Sequence, residues 1–213
     1  MNQEYTPETN YPVTLSSNAI KEDALEPLRK IKKDFGQSGI EEVIDSLKGL
    51  RVLVLGDAVI DRYIFATRMG ESGKGGHVSY LKQGTGTYLG LTFAIANHLA
   101  GFVENVGLVS LLGDNNQDLI HNGLKKNISP NFFYVDGELT IEKTKTVDID
   151  TKEKKDGLYN ALRLSLPEDR KHEITDYLYR SQKDFDLVLV ADPQHGMIDP
   201  SLAHYISDLS EKT

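Results

Sequence analysis

The sequence predicts an α/β protein with a partly parallel sheet flanked by helices and carrying a small β-flap. Three observations predict it. The runs RVLVLG at 51–56, NVGLVSLLG at 105–113 and DFDLVLVAD at 184–192 are apolar enough for core strands. Helix-patterned segments separate them, and strand–helix–strand alternation winds right-handedly into a parallel sheet. A glycine-rich β-prone stretch after the first strand is too polar for the core and reads as the flap.

Residues 1–20 are polar and turn-rich. From Asp23, the positions Ala24, Leu28, Ile31 and Phe35 mark a helix ended by Gly36, with Pro27 in its first turn. GIEEVIDSLKG then places Ile40, Val43, Ile44 and Leu47 on one face of a second short helix, so 23–49 reads as a helical linker. After the strand at 51–56, IDRYIFAT and HVSYLKQ flank the turn ESGKGG and form the flap, about 61–83. YLGLTFAIANHLAGF at 88–102 reads as a buried helix, NQDLIHNGLKKN as a short amphipathic one. FFYVD and TIEKTKTVDID are β-prone about a turn at Asp136 and Gly137, and TKEKKDG is a solvated charged loop. A helix across 168–182 leads to LVLV, whose continuous apolar character predicts a parallel strand buried on both faces. DPQHG turns into a last helix near Pro200.

Composition narrows the function. With 213 residues, 39% hydrophobic and 26% charged, the chain is long enough for one sizeable core. A net charge of −8 argues against a general nucleic-acid binder, which needs a dense Lys/Arg surface. No run of about 18 apolar residues spans a bilayer and the N-terminus is too polar for a signal peptide, so a cytoplasmic location without membrane contact is expected. Without cysteine there is neither disulfide nor thiolate chemistry, and the six histidines are scattered, so no metal site is expected.

The segment GDAVID runs from a core strand into a tight turn that presents Asp57 and Asp61, at the sheet end where α/β proteins hold small ligands. Asp after a strand is equally a turn residue or helix cap. DPQHG sits at the end of another buried strand on the same side of the sheet, so the two strand ends converge on one crevice near His195, which also has the alternative of donating within its own turn. Lys143 and Lys145 alternate and share one face, which suits an anionic ligand or simply a solvated strand. Phosphate-loop and dinucleotide spacings fail at GKGG and GTGTYLG, which leaves a flexible turn or a backbone approach to a ligand at a helix start.

Taken in order, GDAVID, the flap, LGLTFAIANHLAGF, VGLVSLLGD, TIEKTKTV and VLVADPQHG resemble the ribokinase-like, phosphofructokinase-B-type carbohydrate kinases over about residues 50–213. The branch they are most similar to is the heptose-phosphate kinase domain of fused nucleotidyltransferase and sugar kinase proteins. Residues 13–20, VTLSSNAI, resemble the closing motif of a cytidylyltransferase-type domain, so 1–22 would be its tail; an ordinary helix N-cap is the alternative.

The resemblance implies that Asp61 holds acceptor-sugar hydroxyls, that Asp57, Gly90, Lys143 and Lys145 line the sugar site, and that Asp192 and His195 border the phosphate-transfer crevice. It implies a lid that closes over the sugar and pairs two subunits, and a reaction that moves phosphate from ATP, with Mg²⁺, to a sugar or sugar-phosphate hydroxyl. The family's anion hole, catalytic aspartate and most of its ATP pocket follow the strand resembling VLVAD. The chain is therefore expected to be a truncated, N-terminal part of the kinase domain and inactive alone. A non-catalytic sugar-binding or dimerisation module is the alternative. Leu91 supports it, because the family has a second glycine there, and Ala94 replaces an asparagine common in relatives. Lys145 stands where relatives tend to have arginine, which would forfeit bidentate phosphate geometry.

Overall fold

A computed structural model describes residues 22–210 except Lys74. The segment resembling a nucleotidyltransferase motif, 13–20, lies outside the described residues.

Helix α1 (Glu22–Leu47) is two helices joined at Gly36, whose φ of 65° and ψ of −173° break the spiral between Phe35 and Gln37. A positive φ costs a side-chain-bearing residue about 1–2 kcal/mol, which glycine avoids. Pro27 lies inside the helix rather than in its first turn, because the helix starts earlier than its pattern suggests.

The main sheet is parallel throughout, in the order β5 (Ile128–Tyr134), β4 (Asn105–Leu112), β1 (Arg51–Gly56), β8 (Leu187–Ala191). Successive strand side chains point to opposite faces. Val52 and Val54 therefore join Phe93, Ala96, Val106, Leu108 and Ile120 in one core, under α2 (Leu91–Leu99) and α3 (Gln117–Gly123). Leu53 and Leu55 join Val109, Leu111, Ile174, Leu178 and Leu202 in a second, under α4 (Glu168–Ser181) and α5 (Pro200–Ser210). Phe93 is fully buried, and its truncation to Ala would cost about 3–5 kcal/mol.

The expectation of a β8 buried on both faces is corrected. β8 is the edge of the sheet, with Leu187, Val188 and Val190 exposed. Its apolar run matches a central parallel strand, yet only β1 pairs with it among the described residues.

The flap is larger than the sequence suggests. A second sheet runs in the order β3 (Val78–Gly90), β2 (Ala58–Glu71), β6 (Ile141–Asp148), β7 (Lys154–Tyr159). GTGTYLG is the end of β3, so the helix expected from Tyr88 begins only at Leu91, and half of the expected charged loop TKEKKDG belongs to β7. β6 is parallel to β2, whereas β3 and β7 are antiparallel to their neighbours. The chain passes from one sheet to the other at Asp57. Hydroxyls satisfy the carbonyls freed there: Ser110 Oγ donates to Gly56 O (2.6 Å) and Thr92 Oγ1 to Asp57 O (2.7 Å).

Candidate functional site

The base of the second sheet gathers most of the residues singled out in the sequence. In the β2–β6 register Asp61 lies opposite Lys143 and Tyr63 opposite Lys145. Strand alternation puts all four on one face. Lys145 Nζ donates to Asp61 Oδ1 at 2.7 Å, and both side chains are 22% exposed. Burial lowers the Lys145 pKa, but the hydrogen bond and charge of Asp61 more than offset it and hold the ammonium above its usual range. Lys143 is treated differently. Burial, reinforced by the neighbouring Lys145 charge, pushes it below its usual range against the pull of Asp61 and Asp57.

Aromatic rings floor this basic cluster. Lys143 Nζ stands 5.6 Å from the Tyr159 ring centroid, and Lys145 and Lys154 lie 5.4 and 5.6 Å from that of Tyr63. Tyr63 in turn meets Tyr88 edge-on at 5.7 Å. Gly90 closes the site from the side: a Cβ there would stand 2.5 Å from Asp61 Oδ2 and 3.1 Å from Val59 O, so only glycine lets the carboxylate lie where it does. Leu91 follows with φ 45°, a left-handed backbone that favours glycine, carried here by leucine.

The opposite face of the same strands is a brace. Arg62 binds Glu142 in a fork, 2.8 and 2.9 Å, and holds that carboxyl below its usual range. Asn160 Oδ1 accepts the Glu142 N–H at 2.6 Å while its Nδ2 donates to Thr140 O at 3.0 Å. These contacts fix β6, and with it both lysines.

Asp57 is placed differently from Asp61. It is 3% exposed, its Oδ2 accepts the His195 N–H and its Oδ1 the Met197 N–H, each at 2.9 Å. Burial pushes its carboxyl up and the two amide bonds pull it back. It clamps the turn after β8 onto the turn after β1, which is how the two strand ends meet. In that turn Asp192 Oδ1 accepts the Gln194 N–H at 2.7 Å, beside a concavity shared with Arg163, Ile198 and Asp199. His195 Nδ1 lies 3.0 Å from Leu162 O, an acceptor, so Nδ1 carries the proton. Its Nε2 is buried without a partner among the described residues.

The structure thus brings Asp61, Gly90, Lys143 and Lys145 together, and ties Asp57 to the backbone of His195. Sequence reading missed Tyr63, Tyr159 and Lys154. The alternation of Tyr63 with Asp61 was an available signal; Lys154 and Tyr159 were hidden because β7 has almost no apolar pattern.

No protein-family profile matches the sequence, and no curated protein is similar to it. Solved structures are. A possible 1-phosphofructokinase of Thermotoga maritima superposes with a TM-score of 0.56 at 15% identity, over 76% of this chain and 51% of that one. Escherichia coli phosphofructokinase-2 in complex with fructose-6-phosphate gives 0.55 at 12% identity, over 76% and 52%. The tetrameric inhibited form of that enzyme gives 0.54, again at 12% identity and over 76% and 52%. This chain spans about half the length of the solved structures it matches. Its fold is the α/β fold of the ribokinase-like, phosphofructokinase-B-type carbohydrate kinases, as the sequence led us to expect.

Proposed function

We propose that this chain carries the acceptor-sugar half of a carbohydrate kinase. The observation that carries the reading is the pairing of Asp61 with Lys145 beside Gly90, with Lys143 next to it on the same face. A carboxylate held by one lysine keeps lone pairs for two sugar hydroxyls. Lys143 makes no ion pair among the described residues, so its charge is available to a phosphate on the acceptor. The substrate class is accordingly a sugar phosphate, with a plain sugar as the weaker ligand.

In the whole protein this reading assigns the phosphoryl group to ATP with Mg²⁺. Among the described residues no three His, Asp or Glu side chains converge as metal ligands. Asp192 and His195 border the crevice in this reading and orient rather than react. The fuller assignment is a portion of a cytoplasmic nucleotidyltransferase and heptose-phosphate kinase fusion, paired through the lid. It is supported by the order of motifs over 50–213 and by the eight residues at 13–20. Among the described residues no helix is long and apolar enough to cross a membrane.

Calorimetric titration with fructose 6-phosphate and with fructose tests the reading. Asp61→Ala is expected to weaken both ligands at least about tenfold, and Lys143→Ala only the phosphorylated one. Unchanged affinity in Asp61→Ala would overturn the assignment. Leu91 favours a second reading, a sugar-indifferent module, because its strained backbone keeps a glycine's geometry without a glycine's clearance. That reading expects no heat with either ligand in the wild type; heat with fructose 6-phosphate would refute it, and binding gained only in Leu91→Gly would identify the leucine as the block.

A further inference from the structure

Helix α1 carries an apolar surface that the other described residues leave open. Leu28, Ile31, Phe35, Ile40, Val43 and Ile44 are each 38–55% exposed. Their order has an internal symmetry. Positions 31, 35, 40 and 44 are separated by steps of 4, 5 and 4, which read the same in either direction, about a centre between Gln37 and Ser38. The charges obey the opposite symmetry. Residues 29–33 hold Arg29, Lys30, Lys32 and Lys33 and no acid, whereas 41–45 hold Glu41, Glu42 and Asp45 and no base. That centre carries Lys30 onto Asp45 and Lys33 onto Glu42, and sets Asp34 against Glu41, and the glycine break at Gly36 adjoins it.

We propose that α1 pairs antiparallel with α1 of a second copy of this chain, about a two-fold axis between Gln37 and Ser38. A two-fold contact uses one patch twice, so the patch must complement itself. Here Ile31 faces the second copy's Ile44 and Phe35 its Ile40. The basic block of each copy lies along the acidic block of the other, twice per dimer. A parallel pairing would set basic block against basic block and is disfavoured. Each arm of the bent helix lies along the opposite arm of its mate, and Gly36, Ser38 and Gly39 let the backbones approach at the crossing. This surface is separate from the sugar site and from the lid, so the inference stands whether or not the kinase reading does.

Sedimentation equilibrium of the 213-residue chain, with two charge-reversed variants, tests it. The wild type is expected to dimerise in the micromolar range, more weakly as salt rises. Lys30→Glu/Lys32→Glu/Lys33→Glu makes both blocks acidic, and Glu41→Lys/Glu42→Lys/Asp45→Lys makes both basic. Each alone is expected to lose about tenfold or more in self-association, with circular dichroism reporting that the fold is kept. An equimolar mixture restores complementarity at both contacts and is expected to form a heterodimer at least as tight as the wild-type dimer. A monomeric wild type overturns the proposal. So does a dimer that survives both reversals, or one that instead dissociates when the lid carries Met69→Asp and Leu81→Asp.

Discussion

Lys145 reaches backwards along its strand to Asp61. In the parallel register its own neighbour is Tyr63, while Lys143 is the residue opposite Asp61, yet the 2.7 Å hydrogen bond joins Lys145 to Asp61. Among the described residues the diagonal pairing leaves Lys143, the directly apposed residue, without a carboxylate ion pair, and so sorts two similar lysines into a paired one and an unpaired one. Asp61→Asn is expected to destabilise the fold by about 1–3 kcal/mol, because it strands a half-buried ammonium. Asp61→Asn/Lys145→Met should recover most of that loss. The sign with pH follows from the raised Lys145 pKa: the pair contributes fully through neutral pH and is lost only as pH climbs above the usual lysine range. Urea unfolding of the three proteins at neutral pH checks it, and a single mutant indistinguishable from wild type would mean that water already screens the pair.

Gly90 sets where that carboxylate lies. A methyl group 2.5 Å from Asp61 Oδ2 and 3.1 Å from the Val59 carbonyl cannot be accommodated without moving the acid or the strand. Gly90→Ala should therefore cost about 1–3 kcal/mol and lower sugar-phosphate affinity as well. Gly157→Ala, on β7, is the control. Its Cβ would have only an ordinary contact, 3.7 Å from the Tyr159 ring, and the change should be neutral or slightly stabilising. Thermal melts and the same titrations separate the two, and equal effects at both positions would deny Gly90 its special role.

The open edge at β8 has a separate consequence. Leu187, Val188 and Val190 are each 44% exposed, and Val188 borders an apolar cavity of about 160 Å³ with Leu53, Phe185 and Leu209. Unpaired apolar edges recruit other strands and hydrophobic dyes. Val190→Lys should change stability by less than about 0.5 kcal/mol, since little burial is lost, while reducing dye fluorescence and aggregation on heating. Dye binding that is unaltered in the variant would locate the exposed apolar surface elsewhere.

Core elements were legible where periodicity was strong. Val52 and Val54 against Leu53 and Leu55 announced a strand covered on both sides, and the α1 apolar spacing announced two helices broken at Gly36. Reading failed where partners lie far apart in sequence. β7 reads as a charged loop because its residues are polar and exposed, and only pairing with β6 makes it a strand. β8 reads as central because its own composition cannot say how many neighbours it has. At the site, Asp61, Gly90, Lys143 and Lys145 were each visible singly, but the diagonal ion pair was not, since register is a property of two strands. Asp57 looked like a ligand-facing acid, and its burial against the His195 and Met197 amides depends on a turn some 140 residues away.

Acid stability should depend on Asp199, which ties α5 to α4. Burial raises its carboxyl, but the Lys171 ammonium at 2.6 Å, the Leu202 N–H at 2.7 Å and the Ser201 hydroxyl at 2.8 Å overcome that and hold it at about 2, below the ordinary value of 3.8. A carboxyl depressed on folding stabilises above its unfolded pKa, and that contribution fades as pH falls through the folded value. Stability is therefore expected to drop between about pH 4 and pH 2, by an amount on the order of 1–2 kcal/mol from this group. Asp199→Asn keeps a capping oxygen but removes the charge, so its urea midpoint should lie below wild type at pH 6 and approach it near pH 2. Parallel pH profiles for the two proteins would show that Asp199 does not carry the acid sensitivity, and would shift attention to Asp186. That carboxyl is likewise held at about 2, by the Arg51 fork and the Arg51 N–H.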